Sequence, residues 1–124
     1  MFGDYQALAD AWQRREYVSL KDILEQVRTH EAVAGYVLTE LSDIEWEFNG
    51  ILDYRREQKN FHDEFAAVNA PVAAVIDLES HVHWADEELL FDAAVVNDTG
   101  DRRAGTLEWS LDDQSGSSSL SVPA

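Results

Sequence analysis

His81-Val82-His83 is the pair of residues in this sequence best spaced for chemistry. On an extended strand, side chains two apart leave the same face. Both imidazoles could therefore meet one divalent metal, with Glu87 from the following turn as a carboxylate ligand. Asp77 and Glu79 belong to the same row, and His62-Asp63-Glu64 and His30-Glu31 are other places where an imidazole adjoins carboxylates. The plainer reading of His81 and His83 is the solvated face of an antiparallel strand, and it outweighs the metal reading. No resident cofactor is expected.

The spacing His-x-His-x3-Glu across His81, His83 and Glu87 is similar to part of the first cupin motif. That likeness covers seven residues, and Val75 and Ala94 stand where the motif's bracketing glycines would be. Cupins are all-β barrels, whereas the first seventy or so residues here are patterned for helices. Asp98-Thr99-Gly100 matches the aspartic protease triplet, but Asn97 precedes it and Asp101 follows it. Asn, Asp and Gly adopt positive φ cheaply, so the segment reads as a turn. A Gly-rich phosphate loop and a Ser nucleophile elbow are both missing. The cysteine count of zero removes thiol catalysis, Cys-ligated zinc and disulfides together.

The charge balance narrows the function classes further. Asp and Glu number 25 against 9 Lys and Arg, for a net charge of −16, and only Lys21 and Lys59 are lysines. The acids run from Asp4 to Asp113, which is a coat of carboxylates and not an acidic tail. At molar salt the Debye length falls to about 3 Å, so the self-repulsion of such a coat is largely removed there and is felt in dilute buffer. A high-salt setting is the expectation. Arg14-Arg15, Arg55-Arg56 with Lys59, and Arg102-Arg103 are each surrounded by acids, which excludes the concentrated basic face that direct nucleic-acid binding needs. The longest uncharged apolar run, 66–76, is too short for a bilayer and contains Pro71, so no membrane insertion is expected. The first residues, Met1-Phe2-Gly3-Asp4, lack the basic segment and apolar core of a signal peptide, so a cytoplasmic or virion setting is the expectation.

The elements follow from periodicity. Tyr5, Leu8, Ala9 and Trp12 fall at i, i+3, i+4 and i+7, one face of an amphipathic helix over about 4–16. Ser19 with Asp22 predicts a second start, and Leu20, Ile23, Leu24 and Val27 repeat the spacing, so the two read as a helical hairpin. Ser42-Asp43-Ile44-Glu45 is a capping box. The stripe after it, Ile44, Phe48, Ile51, Tyr54, Gln58, Phe61, Phe65 and Val68, predicts one long amphipathic helix that Pro71 stops, about 39 Å in length. Beyond Pro71 the period becomes 2. Val72, Ala74, Ile76, Leu78, Val82 and Trp84 face inward, and strands over 88–96 and 106–111 follow, joined through Asn97–Gly100 and Ala104-Gly105 as a hairpin.

The expected architecture is α+β: N-terminal helices including one long amphipathic helix (4–69), then a three-stranded antiparallel β meander (72–111), in a single domain 1–113. Residues 114–124 carry Ser115, Ser117, Ser118, Ser119 and Ser121, with Leu120 and Val122 as the only anchors, and read as a tail or arm held by a neighbouring subunit. Trp46, flanked by Glu45 and Glu47, reads as an exposed partner-facing residue.

These readings favour a non-enzymatic structural or assembly subunit of a halophilic archaeon or its virus, a homo-oligomer meeting other chains through helix, sheet edge and tail. A virion component such as a head–tail connector or a capsid-associated protein suits that design. A metal-binding protein or metal-dependent enzyme using His81, His83 and Glu87 is the alternative. An acidic inhibitor that imitates DNA is the third reading.

Overall fold

The computed structural model describes residues 3–78, 80 and 82–124. The chain folds as two compact units, Met1–Asn69 and Ala70–Ala124, which meet in sequence where the helical pattern gives way to period 2, and the class is α+β.

The first unit is built on α1, Tyr5–Thr29, a single helix of 25 residues in place of the expected hairpin. Asp4 caps its start by accepting from the Ala7 N–H at 2.7 Å. Nothing between Glu16 and Leu20 breaks a helix, so Ser19 never acquires the non-helical backbone that a cap requires. The pairs Gln6–Asp10 and Asp22–Gln26 on exposed faces and the part-buried Lys21–Glu25, each four residues apart, support the helix. The other helix, α2, is short: His62–Val68, with its Val68 carbonyl taken by Arg28. Tyr17 and Leu24 from α1 pack on Phe61, Phe65 and Val68, with Tyr17 stacked on Phe61 at 5.7 Å between centroids and Phe65 edge-on to Phe61 at 6.5 Å.

The long helix expected over 44–69 is present only in its last turns, from His62. Residues 31–61 are irregular, held by isolated bridges Ser42↔Leu52, Ile44↔Glu47 and Leu52↔Gln58. The cause is local competition for backbone donors. Asp53 Oδ1 accepts from the N–H groups of both Arg55 and Glu57 at 2.8 Å, and Asp43 Oδ1 accepts from the Gly50 N–H at 2.9 Å. Glu45 and Arg56 take left-handed conformations at the two tight turns, φ 53° and 64°. Gly50 is obligatory, because a Cβ there would sit 2.4 Å from the backbone of both Ser42 and Asp43. Gly50→Ala is expected to destabilise this unit by about 3 kcal/mol, the upper range for overpacking, in a urea titration followed by tryptophan fluorescence. An unchanged midpoint would contradict that close approach.

The second unit is not a three-stranded meander but two separate hairpins. Strands β1, Val72–Asp77, and β2, Asp92–Asn97, pair antiparallel; β3, Arg103–Leu111, pairs antiparallel with β4, Gln114–Val122. The connection over 98–102 joins hairpins and does not form one. The Asn97 side chain organises it, donating to the carbonyls of Asp101 (2.9 Å) and Pro123 (2.6 Å) and accepting from Thr99, which turns the chain away from β2. The true tight turn is Asp112-Asp113, with Asp112 at φ 51° as a two-residue hairpin loop requires.

The serine segment expected as a free arm is therefore strand β4. Backbone pairing does not depend on side-chain type, and β3 offers nine consecutive partners, from Arg103↔Val122 to Leu111↔Gln114. Trp109 supplies the packing: its ring covers Gly116, where a Cβ would meet Nε1 at 2.6 Å. Phe91 packs edge-on to the same Trp109 ring at 6.4 Å.

On β1 the facing is the reverse of the expected one. Val75 is buried and Ala73 half-buried, while Val72, Ala74 and Ile76 are exposed. A one-residue shift in facing exchanges the rows, and the small, apolar character of both rows does little to forbid it. In the register of this hairpin Asp77 lies directly opposite Asp92. Asp92→Asn should raise stability by about 0.5 kcal/mol in dilute buffer, with the gain vanishing at molar salt, measured by thermal melts at both ionic strengths.

Candidate functional site

Among the described residues, those expected to carry chemistry do not converge. His81 and Glu79 lie outside the described residues. The His83 ring has Nε2 2.6 Å from the Ser80 carbonyl oxygen and Nδ1 3.7 Å from Glu87 Oε2, and that same carboxylate oxygen accepts from the Trp84 N–H at 3.1 Å. Glu87 is thus engaged in closing a local turn. His30 accepts from the Ala32 N–H beside the end of α1, and His62 opens α2 with a buried Nδ1 that has no partner. Among the described residues no three His, Cys, Asp or Glu side chains are grouped to hold a metal. In Asp98-Thr99-Gly100, Thr99 Oγ1 is committed to Asn97 and the Asp101 carbonyl, and the Asp98 N–H donates to the Pro71 carbonyl at 2.8 Å. The triplet serves the link between hairpins.

What the first unit does assemble is an apolar groove of about 600 Å³ between the first turns of α1 and the loop 43–59. Tyr5, Leu8 and Trp12 form one wall, and Phe48 and Tyr54 the other. The same stripe that predicts a core-facing helix is thus open to solvent: Tyr5 is 91% exposed and Trp12 59%. The reason is that α1 runs on without a break, so its buried face is set by Tyr17 and Leu24, and Tyr5, Leu8 and Trp12 lie outside that core cluster. A second hollow, lined by Trp12, Trp46 and Phe48, adjoins the first through their shared Trp12 and Phe48. Trp46 is 79% exposed there, on the tight turn between Ile44 and Glu47.

Sequence reasoning missed the group beneath this groove. Lys59 is 4% exposed, and its ammonium donates to Glu16 Oε2 and Asp43 Oδ1 at 2.8 Å each and to the Phe48 carbonyl at 3.0 Å. It pins the irregular loop to α1 from beneath, beside Asn60, which donates to Gln13 and to the Asp10 carbonyl. Burial pushes the Glu16 carboxyl above its usual value, with the hydrogen bond and charge of Lys59 acting in the opposite direction. The signal available in the sequence was rarity: two lysines in 124 residues, one of them two residues before Phe61 of the apolar stripe.

In the second unit Leu120 and Val122, expected as tail anchors, lie on β4 and line a hollow of about 210 Å³ with Val72, Val95 and Leu107. They pack within their own unit. Among the described residues no helix is long and apolar enough to cross a membrane. No family model, curated protein or solved structure matches this chain.

Proposed function

We propose that this protein is a non-enzymatic structural subunit, from a halophilic archaeon or a virus of one, that works by assembling with other chains. One observation carries the reading. Among the described residues six hydrophobic side chains form the buried core, while twenty large ones, Tyr5, Trp12, Trp46 and Trp84 among them, stay exposed. Apolar surface on that scale in so acidic a chain marks contact sites, because scattered exposure does not gather into continuous grooves. The second unit points the same way. Two-stranded hairpins are marginal alone in water, and Val75 is the one core residue they contribute among those described. Their outer edges are available to accept further strands. A small virion component, such as a head–tail connector or a capsid-associated subunit, would use such surfaces.

Light scattering in molar potassium chloride tests the reading. The expected result is a concentration-stable mass at least twice the 14.0 kDa of one chain. A monomer at every concentration would overturn it. The salt adaptation is tested separately by circular dichroism on transfer to dilute buffer, where the −16 charge should loosen the fold. Retention of full ellipticity and compactness without added salt would remove the halophilic part.

A further inference from the structure

We infer that the groove of the first unit is filled by a second copy of this chain, the two α1 helices meeting antiparallel through Tyr5, Leu8, Ala9 and Trp12. The inference rests on the assembly reading above and says which surface performs it. The stripe has spacing three, one, three, which is unchanged on reversal, so a two-fold axis between Leu8 and Ala9 sets Tyr5 against Trp12 of the second copy and Leu8 against its Ala9. Large then meets large at the ends of the contact, and leucine meets alanine at its centre, where the helices approach most closely.

Charge selects the antiparallel direction. Asp4 and Arg15 flank the stripe on the same side of α1, at opposite ends. In a two-fold antiparallel pair, like flanks face each other. Asp4 of one copy then lies within about 3 Å along the axis of the level of Arg15 in the other, twice by symmetry. A parallel pair would turn this flank of one copy toward the opposite flank of the other, and neither Asp4 nor Arg15 would meet its counter-charge. Of the other nearby charges, Arg14 pairs with Glu64 and lies over the Tyr17 ring, Lys59 is held by Glu16 and Asp43, and Arg55 lines the opposite wall of the groove.

The area is sufficient. At about 200 Å² for a whole aromatic side chain, the exposed parts of Tyr5, Trp12, Phe48 and Tyr54 offer on the order of 500 Å² per copy, or about 1,000 Å² for two. That is the threshold for a specific interface, before Leu8 and the hollow at Trp46 are added. Molar salt is required, because two chains of −16 repel each other at low ionic strength.

The chain has no cysteine, so single cysteines report the contact cleanly. In molar salt, Leu8→Cys should cross-link to a dimer on mild oxidation or with a short bismaleimide, and Gln26→Cys, further along α1 on an exposed face, should not. Trp12→Ala should weaken self-association by about 30-fold, the size of an interface hot spot, with its helical circular dichroism unchanged. An oligomer that persists in Trp12→Ala while Leu8→Cys fails to cross-link overturns this inference and leaves the assembly reading standing on another surface. A monomeric wild type overturns both, and the groove then belongs to a different partner.

Discussion

Replacing Lys59 by methionine is expected to cost about 3–5 kcal/mol at neutral pH, which is most of the margin of an ordinary domain. Methionine fills nearly the same space, so packing is kept and only the cation is lost. Two carboxylates, Glu16 and Asp43, are then left against each other in a site that water barely reaches, with side chains about 8% exposed. The loop over 43–59 loses its buried tether to Glu16 of α1, which loosens the far wall of the groove. Combining Lys59→Met with Glu16→Gln and Asp43→Asn should recover most of the loss, since a neutral set needs no counter-charge and the introduced asparagine amide keeps an acceptor for the Gly50 N–H. Guanidinium is unsuitable for a charge measurement of this kind; urea titration in a constant salt background gives the midpoints.

The pH dependence of that loss has a definite sign. The Glu16 carboxyl titrates above its usual value in the folded protein, so the folded state holds the proton more tightly than the unfolded chain does. Its contribution to stability is therefore present below the ordinary glutamate range and is lost as pH rises through the folded value. Removing Lys59 removes the influence that holds the folded value down, which widens the window upward. Lys59→Met should consequently be far less damaging at about pH 5 than at about pH 7. An equal loss at both would show that the ammonium acts through packing and not through charge.

Phe61→Ala is the second large effect, expected at about 3–5 kcal/mol. Phe61 is fully buried, stacks on Tyr17 of α1 and meets Phe65 of α2 edge-on, so it joins the two helices of the first unit. The neighbours cannot collapse into the vacated space, because Lys59, two residues earlier, is fixed by three hydrogen bonds and the Asn60 N–H is held by Gln13 at 2.9 Å. Phe61→Leu should cost roughly a third as much, since more of the volume is retained. Calorimetry that resolves the two units separately checks the assignment. The first transition should move down and a transition belonging to the hairpins should stay in place.

Much of the helical content was legible. The apolar spacing from Tyr5 to Val27 marks the helical residues of α1 but divides them into a hairpin at Ser19 that the unbroken helix does not make, and Pro71 marks the border between helix and strand patterns. The stripe from Ile44 to Val68 was equally regular and mostly misleading. Periodicity records which residues share a helical face if a helix forms, and it carries no term for Asp43 and Asp53 capturing backbone N–H groups, or for the close approach at Gly50. Phe61, Phe65 and Val68 kept their expected place in a core only because α2 preserves the last turns. In the strands, the pairing of β3 with a run of serines left no hydrophobic trace to read, since ladder hydrogen bonds are made by every residue except proline.

Composition by itself determined the net charge of −16 and the absence of any cysteine thiol, because those are sums over residues and do not depend on where the chain goes. Only the tertiary structure decided that the first stripe of α1 stays uncovered while the last turns before Pro71 are buried. Both segments present the same amphipathic signal. Which one finds a partner depends on where an uninterrupted helix delivers its residues, and on a buried lysine that holds a loop beside it.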